Sequence, residues 1–482
     1  MIKSLLIFFS KISPNFKKVL LINSDYEVTY NDVYQKSLNY KTYFRQNRIH
    51  KGAKVAFIVE DAFVFISSVI ALWSLGAIPV PVNLKQSKDG LQSIFEILKP
   101  DFIFYEDKFV DFVKLPIPSI SSNTILNRTQ HEVDTQSIDL PIDSTAFILL
   151  TSGSSGVPKC VPVSHKSLFL NVYHTSKRIG LSENDRILIN TPIYTTSSII
   201  HLFTSVIAKS SILIEQGTLF GKDLVTLISK YNCTGFGGVP VHFNRLLSEI
   251  DLFDHQNLSL RFLFNSGDHL PVSVIKGLKK NIKNLEIYCA YGLTEVAGRL
   301  CILKDSELIN KLGSVGLPLE HMNIAAFDNN KILGPNQTGE IVVNGEGLMA
   351  GYLNNDKANI DSFNNYGFKT GDYGYIDQDG YLFLKGRKDD MIKVGGEKVS
   401  LKLVEGEILQ FNEFKEFILT KVEDKNLGPV IGIKYSLNAN VKFNKGVFLK
   451  KLKQILPTTH LPIHFKEVEE LPKTASGKLI RK

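Results

Sequence analysis

Thr151-Ser152-Gly153-Ser154-Ser155-Gly156-Val157-Pro158-Lys159 follows directly on the apolar run Ala146-Phe147-Ile148-Leu149-Leu150. Glycines let backbone N–H groups turn toward a phosphate, hydroxyls add donors, and a terminal lysine brings full charge, so this loop suits a triphosphate physically. The same composition also describes a Ser/Gly-rich surface connection, and the loop alone does not separate the two readings. Two better-known nucleotide patterns fail. A P-loop needs Gly, four residues, then Gly-Lys followed by Ser or Thr. Counting back from Lys159 puts Pro158 at the second glycine, and counting back from Lys478 puts Pro472 at the first. A Gly-x-Gly-x-x-Gly is absent from the loop as well, which removes the main support for a dinucleotide fold of that kind.

Outward from the loop, short apolar segments alternate with helix-like stretches. Lys54 to Val59, Ala77 to Val82 and Phe102 to Tyr105 read as strands, with a helix from Phe63 to Leu75 between the first two. Arg186 to Ile189, Ser211 to Ile214 and Arg261 to Phe264 continue the pattern, the signature of buried parallel strands with crossover helices. From Asn323 to Leu384 strands dominate among many glycines, as in a small antiparallel unit. Past Gly386-Arg387-Lys388-Asp389-Asp390 the character changes, and Val404, Ile408 and Phe411, then Phe448, Leu452 and Ile455, fall at helical spacing.

The chain has 482 residues, 44% apolar and 22% charged, which is enough for two or three cores and argues against disorder. Its net charge of +8 is modest and its lysines are scattered, so nucleic-acid binding has little support and an acidic ligand fits equally well. Cys160, Cys233, Cys289 and Cys301 form no Cys-x-x-Cys pair, so neither a disulfide framework nor a zinc site is expected and a cytoplasmic location is the default. The first ten residues resemble a short signal sequence, but lysines follow at once and no small-residue cleavage site is present; they read as a docking helix, which leaves a peripheral membrane contact open. No stretch approaches the ~18 uninterrupted apolar residues of a membrane span.

Five clusters then line up in order: Thr151 to Lys159, Tyr291-Gly292-Leu293-Thr294-Glu295, Thr370-Gly371-Asp372, Gly386-Arg387-Lys388-Asp389-Asp390, and Pro472-Lys473-Thr474-Ala475-Ser476-Gly477-Lys478. Together they resemble the core motifs of the adenylate-forming superfamily of acyl-CoA synthetases, peptide-synthetase adenylation domains and luciferases, with Gly339-Glu340 through Gly351-Tyr352 in support. The resemblance runs from Thr29-Tyr30 to Lys482. It implies an α/β fold: a large N-terminal domain of α/β subdomains plus a small β-barrel-like subdomain (residues 1–386, carrying the ATP and acyl-acid sites), then a small mobile α+β lid domain (387–482).

A carboxylate attacking the α-phosphorus of ATP brings two anions together, so positive charge and oriented donors must offset the repulsion. By resemblance, Thr151, Ser152, Gly153, Ser154, Ser155, Gly156 and Lys159 close over the outer phosphates. Tyr291 and Gly292 lie at the adenine, Thr294 bonds the α-phosphate, and Glu295 holds Mg2+. Gly267 and Asp268 bracket the base, Asp372 takes the ribose hydroxyls, and Arg387 reaches ribose or phosphate. Lys478 is the expected electrophilic catalyst of adenylation. Asp389 matches the family's hinge, about which the lid swings to bring Lys393 and Gly396 to the site and open a tunnel for pantetheine. Each cluster also has a plainer reading: a helix cap for Thr294-Glu295, a turn for Asp372, and an ion pair between Arg387 and Asp389 or Asp390.

The acid pocket is expected around Tyr194, Thr195, Phe236 and Val239, which read equally as core residues. Thr195 stands where many acyl-CoA synthetases carry His. No Asp is near to pair an ammonium, which disfavours a free α-amino acid. Cys160, Leu150 and Leu401 depart from the family's usual glycine, tyrosine and proline without removing a charge the chemistry needs. Met391, in place of a glutamine frequent in peptide-synthetase domains, leans toward CoA ligases. The expected activity is therefore an acid–thiol ligase using ATP and Mg2+, with CoA as thiol and the phosphopantetheine of a free-standing acyl carrier protein as the close rival. A luciferase-like oxygenase would keep the same residues. A non-catalytic nucleotide-binding homologue should have lost one of Glu295, Asp372, Arg387 or Lys478, and all are present.

Overall fold

The computed structural model describes residues 5–83, 88–113, 116–123, 140–151, 158–215, 224–253, 258–268, 270–388, 391–395, 397–408, 411, 413–438 and 442–471. These fall into two compact units, residues 1–324 with 343–368 and residues 325–342 with 369–482. The fold is mixed α/β, as the alternating apolar segments lead one to expect.

In the first unit Thr151 and Lys159, the two ends of the phosphate-loop candidate, are paired in the antiparallel strands β1 (Thr145–Thr151) and β2 (Lys159–Ser164). Helix α1 (His165–Ile179) follows, started by the Ser164 hydroxyl, which accepts from the Ser167 N–H, and stopped by Gly180 at φ 62°. Then come β3 (Arg186–Ile189), α2 (Thr196–Ala208), β4 (Ser211–Ile214), β5 (Gly235–Gly238), α3 (Pro240–Phe253), β6 (Phe262–Ser266), β7 (Glu286–Leu293) and β8 (Gly298–Leu303). These strands share a nine-stranded sheet in the order Leu317–Pro318, β8, β7, β6, β5, β3, β4, Val19–Ile22, Glu27–Thr29. Pairing is parallel from β7 through β4 to Val19–Ile22 and antiparallel at β7/β8. Parallel strands covered on both faces must be apolar throughout, which is why Ile187, Leu188, Ile189, Ile212 and Leu213 are all buried.

A second, parallel sheet in this unit has the order Ile78–Pro81, Lys54–Ile58, Phe102–Tyr105, Ser119–Ser121. The expected helix runs Ala62–Leu75, with Asp61 as its N-cap and Gly76 at φ 69° as its stop. It delivers Trp73 to the middle of the core, where the indole N–H donates to the Ala146 carbonyl at 2.7 Å and the ring packs on Phe147, Phe203 and His165. Burying aromatic and aliphatic side chains of this size contributes roughly 1.5–3 kcal/mol each, and this cluster anchors the hairpin that carries the loop. The N-terminal helix Leu5–Ile12 buries Leu5, Leu6 and Phe9 in the same core. No helix among the described residues is long and apolar enough to cross a membrane.

The strand-rich stretch after Asn323 forms a six-stranded sheet. The second unit carries the hairpin Met391–Val394 with Glu397–Ser400, and a three-stranded sheet of Phe414–Asp424, Gly428–Leu437 and His464–Glu467. Its core takes Val404 and Ile408 from the helix Leu401–Ile408, and Phe448 and Leu452 from the helix Lys445–Leu452. Both helices are shorter than the apolar spacing suggests. Phe411 lies past the end of the first but still packs on the core, whereas Ile455, past the second, is exposed.

Candidate active site

Within the first unit, several of the expected residues meet where strands of the large sheet end. Thr151 and Lys159 face each other across the hairpin. The Lys159 ammonium stands 4.6 Å from the centroid of the Tyr352 ring, and the Tyr352 hydroxyl donates to Glu295 Oε1 at 2.7 Å. The Glu295 carbonyl in turn accepts the Met349 N–H at 2.9 Å. The loop's terminal lysine and the motif's carboxylate are thus joined through one aromatic ring, a face for the cation and a hydroxyl for the anion.

Thr294 lies beside the start of α2: its hydroxyl is 3.2 Å from that of Thr196. One residue on, the Ser197 hydroxyl is 3.3 Å from that of Ser266 at the end of β6. Gly267 follows at φ +90°, and Val239, after β5, is the nearest neighbour of the position a side chain would take there. Asp268 is exposed, with its carbonyl accepting from the Asn265 amide at 2.9 Å. The motif glycine Gly292 is fixed by close approach, since a Cβ there would lie 1.8 Å from the Gly298 carbonyl oxygen across β7 and β8. Tyr291, the residue before it on β7, is half-buried.

The pocket candidates divide. Tyr194 is half-buried, and its phenol is pushed up chiefly by burial and then by the charge of Glu60. The Thr195 hydroxyl caps α2, accepting from the Ser198 N–H and donating to the Pro192 carbonyl at 2.9 Å. Phe236 is fully buried against His242 and Phe243 of α3. Its neighbour Gly237 faces His201 of α2. Successive strand residues point to opposite faces, so Phe236 lies on the face of the sheet away from Thr196, Ser197 and Thr294.

Arg299 and His201 belong to this region and carry no motif. Arg299 of β8 is 5% exposed. Its Nη2 donates to the Ser197 hydroxyl at 2.9 Å and to His201 Nε2 at 3.0 Å, and its guanidinium lies 4.9 Å over the Phe264 ring. Because arginine only donates, His201 Nε2 is the acceptor and the imidazole is neutral, consistent with burial and the adjacent charge holding it well below the usual histidine range. The sequence does contain a signal for Arg299: it is the charged residue of the otherwise apolar β8, Gly-Arg-Leu-Cys-Ile-Leu.

In the second unit, Asp372 and Arg387 are register partners across β9 (Gly367–Ile376) and β10 (Leu382–Arg387). Arg387 Nη1 donates to both Asp372 oxygens, at 3.2 and 3.4 Å. Lys388 pairs with Glu340 at 3.2 Å, and Lys393 is exposed on the strand Met391–Val394. Ser152, Gly153, Ser154, Ser155, Gly156, Asp389, Gly396 and Lys478 lie outside the described residues.

A lysine and a carboxylate held on one aromatic ring, with two hydroxyl pairs at the ends of β6 and β7, is an arrangement for handling anions at one edge of an α/β sheet. With this fold, it marks the chain as an acid–thiol ligase of the AMP-forming, acyl-CoA synthetase type. The model of the AMP-binding enzyme family matches residues 11–353, and the chain belongs to that family. Over 466 residues it is 29% identical to the 2-succinylbenzoate–CoA ligase of Bacillus pumilus, spanning 96% of this chain and 94% of that protein. The O-succinylbenzoate coenzyme A synthetase of Bacillus subtilis in complex with ATP and magnesium ion superposes with a TM-score of 0.88 at 25% identity, over 99% of this chain and 98% of that one. The same enzyme in complex with its acyl-adenylate intermediate also gives 0.88 at 25% identity, over 100% and 97%.

Proposed function

We propose that this chain is an ATP-dependent acid–CoA ligase that works in two steps. A carboxylate oxygen of the acid bonds to the α-phosphorus of ATP as the bond to the bridging oxygen breaks, releasing pyrophosphate. The thiol sulfur of CoA then bonds to the acyl carbon, AMP leaves, and the thiol proton passes to solvent. The observation that carries this reading is the joining of Lys159, Tyr352 and Glu295 beside the Thr294–Thr196 hydroxyl pair, a cation, a carboxylate and two hydroxyls close together.

The donor set fits Mg2+, a hard cation that takes few carboxylates and several phosphate oxygens: one Glu295 oxygen accepts from Tyr352, and the carboxylate keeps further lone pairs. When bound, the ion would neutralise phosphate charge. Thr151 through Gly156 and Lys159 would hold the outer phosphates, Thr294 the α-phosphate, Tyr291 with Gly267 and Asp268 the adenine, and Asp372 with Arg387 the ribose. Residues 387–482 would act as a lid about Asp389, presenting Lys478 for adenylation and Lys393 with Gly396 for thioester formation. Cysteines without a zinc or disulfide pattern support a cytoplasmic setting.

ATP–pyrophosphate exchange across a broad acid panel, with 2-succinylbenzoate first because of the relatives, tests adenylation. Mass spectrometry of products with CoA, and separately with holo acyl carrier protein, tests the thiol. Exchange followed by an acyl-CoA product is the expected result. Exchange with loading of the carrier protein alone would overturn the choice of CoA, and no exchange with any acid would overturn the reading.

A further inference from the structure

Asn171 stands in the middle of α1 and is fully buried, where an apolar side chain would be the ordinary choice. An asparagine inside a helix gives up helix propensity, and a buried amide is costly unless its hydrogen bonds are made. Its bonds go to one turn of the chain. The Nδ2 group donates to the Val296 carbonyl at 3.0 Å and to the Arg299 carbonyl at 2.7 Å, and Oδ1 accepts the Arg299 N–H at 3.2 Å. These partners fix which way the amide points, since a carbonyl only accepts and an N–H only donates.

The turn is the one that carries Thr294 and Glu295 from β7 into β8. It runs through Ala297 at φ 59° and Gly298 at φ 122°. The alanine side chain disfavours a left-handed backbone, and such a residue persists where its surroundings over-determine it. Asn171 does so from both sides, at Val296 before the pair and at Arg299 after it.

The far end of the turn is tied back to its beginning. Arg299, held at its backbone by Asn171, donates from Nη2 to the Ser197 hydroxyl at 2.9 Å and to His201 Nε2 at 3.0 Å, both on α2. Ser197 directly follows Thr196, whose hydroxyl is 3.2 Å from that of Thr294. The contacts therefore close a ring that passes from Thr294 through the turn to Arg299, then Ser197 and Thr196, and back to Thr294. The ring is anchored on α1 through backbone groups rather than through the two threonine hydroxyls themselves.

We infer that Asn171 is a positioning residue for adenylation, which acts through the backbone at Val296 and Arg299 to hold the Thr294 hydroxyl opposite that of Thr196. The inference rests on the adenylation reading, in which Thr294 would bond the α-phosphate, and adds to it a residue that would act on the reaction only through another. A shift of about 1 Å in a reacting group can cost about 100-fold in rate, so a lost anchor should show in catalysis as well as in stability.

The test is a double-mutant cycle on ATP–pyrophosphate exchange, using 2-succinylbenzoate or whichever acid the wild type turns over fastest, with the melting temperature of every variant recorded. Asn171→Ser should lower kcat by about tenfold or more while KM for ATP changes less than about threefold. Thr294→Ala should lower kcat by about 100-fold. In the Thr294→Ala background, Asn171→Ser should cost less than about threefold more, because the hydroxyl that it positions is gone. As a control, Val33→Ala truncates a fully buried side chain of the helix Tyr30–Gln46, and should lower the melting temperature with kcat unchanged. Losses that multiply across the cycle, or an Asn171→Ser variant that loses only melting temperature, would overturn the inference and leave adenylation standing. If Asn171→Ser does not fold, Asn171→Asp, equal in size and still able to accept the Arg299 N–H, carries the same cycle. No exchange by the wild type with any acid would overturn the adenylation reading and this inference together.

Discussion

The Tyr352 hydroxyl donates to Glu295 Oε1 at 2.7 Å, and the face of the same ring carries the Lys159 ammonium. The tyrosine therefore orients the proposed magnesium carboxylate and positions the lysine that ends the proposed phosphate loop. Tyr352→Phe keeps the ring under Lys159 and deletes only the donor. A hydrogen bond to a charged group contributes roughly 1.5–3 kcal/mol, so exchange should fall about tenfold or more and the Mg2+ concentration for half-maximal rate should rise. An unchanged Mg2+ requirement would detach Tyr352 from the metal carboxylate.

Asp372 and Arg387 pair across their hairpin, but the arginine side chain is 55% exposed against 12% for the aspartate. A pair open to solvent on one side stabilises by about 0–1 kcal/mol at most. Asp372→Asn should therefore move the melting temperature by only a few degrees. If the carboxylate serves the ribose, KM for ATP should nonetheless rise about tenfold, as for other charge-assisted hydrogen bonds to ligand. Melting curves and ATP titrations on the same variant separate the two roles, and a matched loss in both would make the pair structural.

The fold was legible because parallel strands buried on both faces must be apolar runs, as at Arg186–Ile189 and Ser211–Ile214, and because caps such as Asp61 and Gly76 are short-range chemistry. The pairing of Asp372 with Arg387 was not, since it depends on antiparallel register with an irregularity between Tyr373 and Gly374. The plainer sequence reading offered Asp389 or Asp390 for Arg387, the nearer carboxylates along the chain. Phe236 was legible as an apolar residue, but which sheet face it takes depends on where β5 begins. Arg299 belongs to no motif, and its meaning lies in what surrounds it: a phenyl ring from β6 and a serine and a neutral histidine from α2.

Buried histidines set a pH limit on stability. His165, His242 and His321 are each pushed down to about 4, burial being the first cause in every case. Unfolding returns them to about 6.5, so between those values the unfolded chain binds more protons than the folded one. Stability from these groups is present in full above about pH 6.5 and is lost as pH falls toward 4. Urea midpoints at pH 7.5, 6 and 5 should decrease in that order. His165 packs its ring against Trp73, and His165→Gln should flatten the slope even while lowering the midpoint at pH 7.5. A midpoint independent of pH from 7.5 to 5 would contradict the burial of these rings as neutral imidazoles.

Lys478 offers the sharpest separation of the two half-reactions. The proposed role brings its ammonium to the carboxylate and α-phosphate oxygens only while the acyl-adenylate forms. Charge is redistributed there in the transition state, and removing one such donor costs about 100-fold in rate. Lys478→Ala should therefore lose ATP–pyrophosphate exchange by about that factor or more. The same variant, given preformed acyl-adenylate and CoA, should make thioester at a rate near that of the wild type, because the proposed second step would use Lys393 and the other lid orientation. Lys393→Ala should show the converse, with exchange retained and thioester formation slowed. Near-normal exchange by Lys478→Ala would remove this lysine from the mechanism, and parallel loss of both steps in either variant would mean that the two half-reactions share one arrangement of the lid.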